Sequence, residues 1–191
     1  MACGQSAAPP DPTAKPHQMT IHLDPAKSKI EWVLHDSLHT VNGTFQLKGG
    51  LITFNLATGV ADGELLVDVA TGASGNATRD NKMKTQVLES QKFPTAFFHL
   101  TLVTGASKLG TAGPGTTQQL TIKGTLNIHG ADHPLTLKAD VKADGSILTA
   151  TTHFAIPYVA WGMRDPSIML VRVSKQVDVT VIAQGAIEKA P

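Results

Sequence analysis

The sequence predicts an all-β fold: a single antiparallel β-barrel of about eight strands carrying one short helix. Three observations lead there. Apolar residues recur at every second position along most of the chain, the spacing that puts them on one face of successive strands. Turn signals built on Gly and Asp separate these runs. Only one stretch has the spacing of an amphipathic helix.

The alternation begins at Thr20. Ile30, Trp32 and Leu34 alternate with Glu31 and His35, and Phe45 and Leu47 with Thr44, Gln46 and Lys48. Gly49-Gly50 reads as a turn, after which Ile52, Phe54 and Leu56 resume the pattern. Asp62-Gly63 reads as the next turn, before Leu65, Val67 and Val69. The helix is expected from about Arg79 to Ser90. Met83, Val87 and Leu88 would share a face, Asp80 or Thr78 would cap it, and Pro94 prevents its continuation.

Phe98, Leu100 and Leu102 form the following strand face, and the Gly- and Thr-rich segment from Val103 to Thr117 reads as an exposed loop. Leu120, Ile122, Leu126 and Ile128 lead to a turn at Gly130; Leu135, Leu137, Ala139 and Val141 lead to a hairpin at Asp144-Gly145. Leu148, Ala150, Thr152, Phe154 and Ile156 follow, and Val177, Val179, Val181 and Ala183 complete the series. Strands with one apolar face must stack as a sandwich or close on themselves, and long strands with few helices favour closure.

A chain of 191 residues suits one such domain, here residues 20–191 behind a Pro- and Ala-rich tail over residues 1–19. With 41% hydrophobic and 16% charged residues and a net charge of +1, the composition is globular, and no nucleic-acid partner is expected. No uninterrupted apolar stretch approaches the roughly 20 residues of a spanning helix. Cys3 is the only cysteine, so no disulfide can form within the chain. Flanked by Ala2 and Gly4 and followed by the tail, it resembles the mature start of a bacterial lipoprotein, which makes Cys3 a candidate lipid anchor. The alternative is an unmodified, extended terminus.

The chain carries no nucleophile elbow, phosphate-cradling loop or zinc-protease motif, so neither an enzyme nor a cofactor is expected. His35/His39 and His129/His133 are four residues apart. Along a strand that separation is about 13 Å, too far to share a zinc held at about 2.1 Å, so no metal site is expected. Only a turn could bring a pair together, and Gly130 offers one to the second pair.

Beyond periodicity, the chain resembles a known family. Phe45, within Val41-Asn42-Gly43-Thr44-Phe45, is similar to the early glycine-x-phenylalanine signature of the YceI-like lipid-binding family. Arg79-Asp80, Met83-Lys84, Phe93-Pro94 and Phe98 resemble that family's arginine-aspartate, helix and phenylalanine-proline sequence. Gly124 to Gly130 with Pro134 and Leu135, and then Trp161-Gly162-Met163, resemble its later signatures in the same order. His133 and the Gly-rich loop around Gly110 to Gly115 depart from the pattern, which leaves the head group and partners open.

The resemblance implies an extended, lipocalin-like barrel that holds a polyisoprenoid or fatty-acyl amphiphile, in a periplasmic or secreted bacterial protein that is often dimeric. Trp32, Phe45, Phe98, Leu100, Phe154, Trp161 and Met163 are then the candidate lipid-binding side chains, with Ala150 expected beside the tunnel. Each of these could equally fill a solid core. Arg79 is the head-group candidate, because a guanidinium matches the oxygens of a polar or phosphorylated group. The reading favoured for Arg79, however, is as a brace for the loop beside Asp80. The rival function is a secreted or envelope protein with a packed barrel that binds a protein partner through its loops.

Overall fold

The computed structural model describes residues 18–106, 109 and 115–189. Most of the expected tail, with Cys3, lies outside these residues. Among these residues nine strands form: β1 (Gln18–Leu23), β2 (Lys29–His35), β3 (Thr40–Asn55), β4 (Ala61–Ala73), β5 (Thr95–Thr104), β6 (Thr117–Ile128), β7 (Ala131–Asp144), β8 (Ile147–Ile156) and β9 (Val177–Lys189). Every pairing between them is antiparallel.

The sheet runs from β2 through β9, β8, β7, β6, β5 and β4 to β3, which pairs with β2 again and closes an eight-strand barrel. β1 adds no further position. Like β2, it pairs with both β3 and β9, so the two lie in line as one interrupted strand. The interruption is a turn in which Lys27 and Ser28 donate backbone hydrogen bonds to the Asp24 carbonyl. Its edge is stitched to β9: Asp24 N–H donates to the Gln184 carbonyl at 2.8 Å, and Gln184 N–H donates to Ser28 Oγ at 3.0 Å.

Two expected turns turn out differently. Gly49-Gly50 lies inside the 16-residue β3, where the register against β4 shifts between Leu47 and Gly49. The extra residue is a β-bulge, which bends the strand and switches its inward parity, so that Leu47 and Phe54 are both buried. Asp62-Gly63 likewise lies within β4; the turn is earlier, where Asn55 Oδ1 accepts from Ala57 and Thr58 N–H and Gly59 takes a φ of +76°. A third register shift, between Leu100 and Leu102, puts Val103 rather than Leu102 in the core. A period-two reading cannot detect an inserted residue when glycine or a short polar residue carries it.

The hairpins at Gly130 and Gly145 form as expected. His129 (φ +54°) and Gly130 (φ +75°) are the two central residues between Ile128 and its partner Ala131, a turn that matches strand twist. The helix α1 (Ala77–Lys82) begins two residues before the expected start and continues as a π-helical turn over Met83–Val87. Asn76, not Asp80 or Thr78, is its cap: Asn76 Oδ1 accepts from Arg79 N–H at 3.0 Å.

The loop after β5 is not wholly exposed. Ala106 and Leu109 are each 3% exposed and join the main core with Met19, Ile21 and Leu23 of β1 and with Leu120, Ala139, Val141 and Leu148. Together they plug one end of the lumen.

Candidate functional site

The other end is hollow. A cavity of about 680 Å³ occupies it, walled by apolar side chains from all eight barrel positions, from Ile30 and Trp32 on β2 round to Val179 on β9. Met83, Val87 and Leu88 share a helical face, as their spacing predicts, and that face borders the cavity. Tyr158 and the segment from Met163 to Ile168 border it from the opposite side of the rim.

Of the seven lipid-binding candidates, Trp32, Phe45, Phe98, Phe154 and Met163 border this cavity. Leu100 does not; it is buried in the plugged end, and Ala150 packs there too. Trp161 lies behind the rim, stacked on His133 with ring centroids 3.8 Å apart and planes 6° from parallel. It packs with Leu126, Ile156, Tyr158 and Met163 in a second apolar cluster that supports the rim.

Aromatic side chains this large could have filled the lumen, and glycines explain why they do not. A Cβ on Gly43 would lie 2.2 Å from Trp32 Cζ2, one on Gly72 2.6 Å from Phe45 Cε1, and one on Gly124 2.7 Å from Phe98 Cζ. Each ring therefore packs against a bare stretch of backbone in the wall, in space that a larger residue there would take. Gly72 reaches this position through an irregularity in β4, where Thr44 pairs with Ala73 but Gln46 pairs with Asp68.

The rim is polar. Arg79 borders the cavity, and donates from Nε to Ser74 Oγ at 2.7 Å and from Nη2 to the Ser74 carbonyl at 3.0 Å. Ser74 in turn donates from both its hydroxyl and its N–H to Asp80 Oδ1. Arg79 thus braces the loop through Ser74 while standing at the cavity edge. Desolvation acts to raise the Asp80 pKa, but the two Ser74 hydrogen bonds and nearby Arg79 outweigh it and hold the carboxyl below its ordinary value.

The other two rim acids are also held in loops. Asp36 accepts from the N–H groups of Leu38 and His39, both at 2.7 Å, which lowers its pKa. Asp165 is lowered by hydrogen bonds from the Ser167 hydroxyl and N–H. Tyr158, buried beneath the rim, donates its hydroxyl to the Ser174 carbonyl at 2.6 Å, and burial pushes its pKa up to about 12. These residues carry no recognisable spacing, so only the fold reveals them.

The histidine pairs separate. His129 Nε2 lies 2.7 Å from Glu89 Oε2, whereas His133 stacks on Trp161. His35 Nδ1 lies 3.0 Å from Thr40 Oγ1, and His39 Nδ1 3.7 Å from Asp36. Among the described residues no three metal-ligating side chains cluster, and no helix is long and apolar enough to cross a membrane.

A family model described as YceI-like domain matches residues 22–184. The chain belongs to the YceI-like family. Among solved structures it is similar to Burkholderia cenocepacia BcnA, at 20% identity and a TM-score of 0.68, over 85% of this chain and 98% of that one. It is also similar to a polyisoprenoid-binding domain from Saccharophagus degradans implicated in plant cell wall breakdown: 14% identity, TM-score 0.70, 91% and 100% coverage. A Campylobacter jejuni YceI protein matches at 19% identity and a TM-score of 0.59, over 82% and 90%. At these identities the likeness shows a shared fold. No curated protein matches the chain.

Proposed function

We propose that this YceI-like protein binds one long-chain amphiphile, a polyisoprenoid or a similar fatty-acyl compound, with its tail in the cavity and its head group at the rim. The observation that carries this reading is the hollow half itself: apolar walls, a polar rim, and a volume within the range of about 300–1,000 Å³ usual for small-molecule sites. The polyisoprenoid-binding domain from Saccharophagus degradans adds support, since it has the same fold. A packed barrel that acts only through its loops would leave no such space.

Magnitudes favour a long tail. Each buried methylene contributes about 0.8 kcal/mol, and association costs roughly 4–15 kcal/mol, so ten carbons do little more than offset the cost. Trp32, Phe45, Phe98, Phe154 and Met163 would line the tail, and Arg79 would stand beside the head group. The work is carriage, storage or sensing of the lipid, not catalysis, in a periplasmic or secreted setting; Cys3 would tether the chain if acylated.

The test is displacement of a cavity fluorophore. Phenylnaphthylamine should bind and brighten, and a long polyprenol should displace it far better than a short alcohol. Equal displacement by both, or no fluorophore binding, would refute the reading.

A further inference from the structure

Two hairpin tips stand side by side at the cavity rim. One carries Leu38; the other carries Ile168, Met169 and Leu170. These side chains are 65%, 66%, 91% and 86% exposed, whereas the other large hydrophobic residues exposed among the described residues, Leu51, Val60 and Ile147, lie on other strands or turns. Contiguous exposed apolar side chains of this size mark an interaction site.

The tips are held in place. Ile168 and Val171 exchange backbone hydrogen bonds at 3.0 and 3.2 Å around the Met169-Leu170 turn. Ser37 N–H donates to the Arg172 carbonyl at 2.9 Å, Arg172 N–H donates to Ser37 Oγ at 3.2 Å, and Asp36 bridges to Val173. Ile168 also borders the cavity, so the patch is continuous with the cavity wall.

Charge identifies the occupant. The rim segments 35–40, 77–87 and 159–175 together carry six Lys and Arg against three Asp, on a chain whose net charge is +1. Arg79, Lys82, Arg164, Arg172 and Lys175 are exposed. A second copy seated on the same patch would bring these cations face to face. An anionic bilayer complements both features, because apolar side chains enter the headgroup–acyl boundary while Lys and Arg meet the lipid phosphates.

We propose that the Leu38 and Ile168–Leu170 tips, with the surrounding cations, dock the cavity rim onto an anionic lipid bilayer. Docked this way, an apolar ligand passes between bilayer and cavity without its tail crossing water. This inference rests on the cavity being a lipid site, and the experiment below separates the two claims.

The full chain with Cys3→Ser, which removes any acyl anchor, is sedimented with vesicles of phosphatidylcholine alone or mixed with phosphatidylglycerol. It is compared with the same chain carrying Met169→Ser and Leu170→Ser, two exposed positions where substitution leaves folding intact. The unsubstituted tips should bind the mixed vesicles about tenfold or more tightly than the Ser tips, and lose binding in high salt. Phenylnaphthylamine binding without vesicles should be equal in both. Equal vesicle binding by the two chains would overturn docking, as would a dimer that dissociates on substitution while vesicle binding stays the same. If neither chain binds the fluorophore, the cavity reading fails, and a surviving difference in vesicle binding still supports docking.

Discussion

Around Ala139 and Val141 the inward side chains are 1% and 2% exposed and pack into one cluster, although several are small. Around Phe98 and Phe154 the inward side chains are larger, yet they leave a cavity of about 680 Å³. Both halves are built from the same alternating strands, so side-chain size does not decide which half fills. Two other features do. The packed half is plugged by β1 and by Ala106 and Leu109. In the hollow half Trp32, Phe45 and Phe98 pack against the bare backbone of Gly43, Gly72 and Gly124.

Truncation should break the symmetry most sharply. Phe54→Ala, in the packed half, should cost about 3–5 kcal/mol of stability by denaturant unfolding. Phe154→Ala, beside existing empty space, has fewer contacts to lose and should cost roughly half as much. Equal costs would mean that the two halves are equally packed.

Enlargement should act in reverse. Ala150→Phe forces a ring into the plugged end and should destabilise by about 1–3 kcal/mol. Val179→Trp borders the cavity, so it should leave the melting temperature nearly unchanged while abolishing phenylnaphthylamine binding. A Val179→Trp protein that keeps wild-type affinity would misplace the site.

Strand faces were legible in the sequence because alternation is a local property: Trp32, Phe45, Phe98 and Phe154 all point inward as read. Whether an inward residue borders space or core was not legible, since Phe98 and Leu100 share one strand face and pack in one cluster, yet only Phe98 borders the cavity. That outcome depends on plugs contributed by distant segments. Register was lost wherever a bulge intervened, as at Gly49-Gly50, and Tyr158 went unseen because its partner, the Ser174 carbonyl, is backbone. The helix face was legible from Met83, Val87 and Leu88, but its cap was read as Asp80 or Thr78 where Asn76 holds that place.

A smaller effect is expected at Tyr158. Tyr158→Phe removes the hydrogen bond to Ser174 and should cost about 1 kcal/mol, read as a modest fall in the denaturation midpoint.

The smallest effect concerns acid. The folded pKa values of Asp36, Asp80 and Asp165 lie below their ordinary 3.8, so the stabilisation they give is present above that pH and is lost as pH falls through the folded values. The rim loops should therefore loosen only in strong acid. Carboxyl-carbon NMR should show all three midpoints below 3.8, and a midpoint at or above it would remove the corresponding loop contact.

Native mass spectrometry of freshly purified protein tests the central claim most directly. The wild type should carry an added mass matching a long-chain lipid, kept in a folded Leu100→Ala variant of the packed half and lost in Val179→Trp. A wild type that flies only as the bare chain, or an adduct that survives Val179→Trp unchanged, would contradict a lipid held in the hollow half.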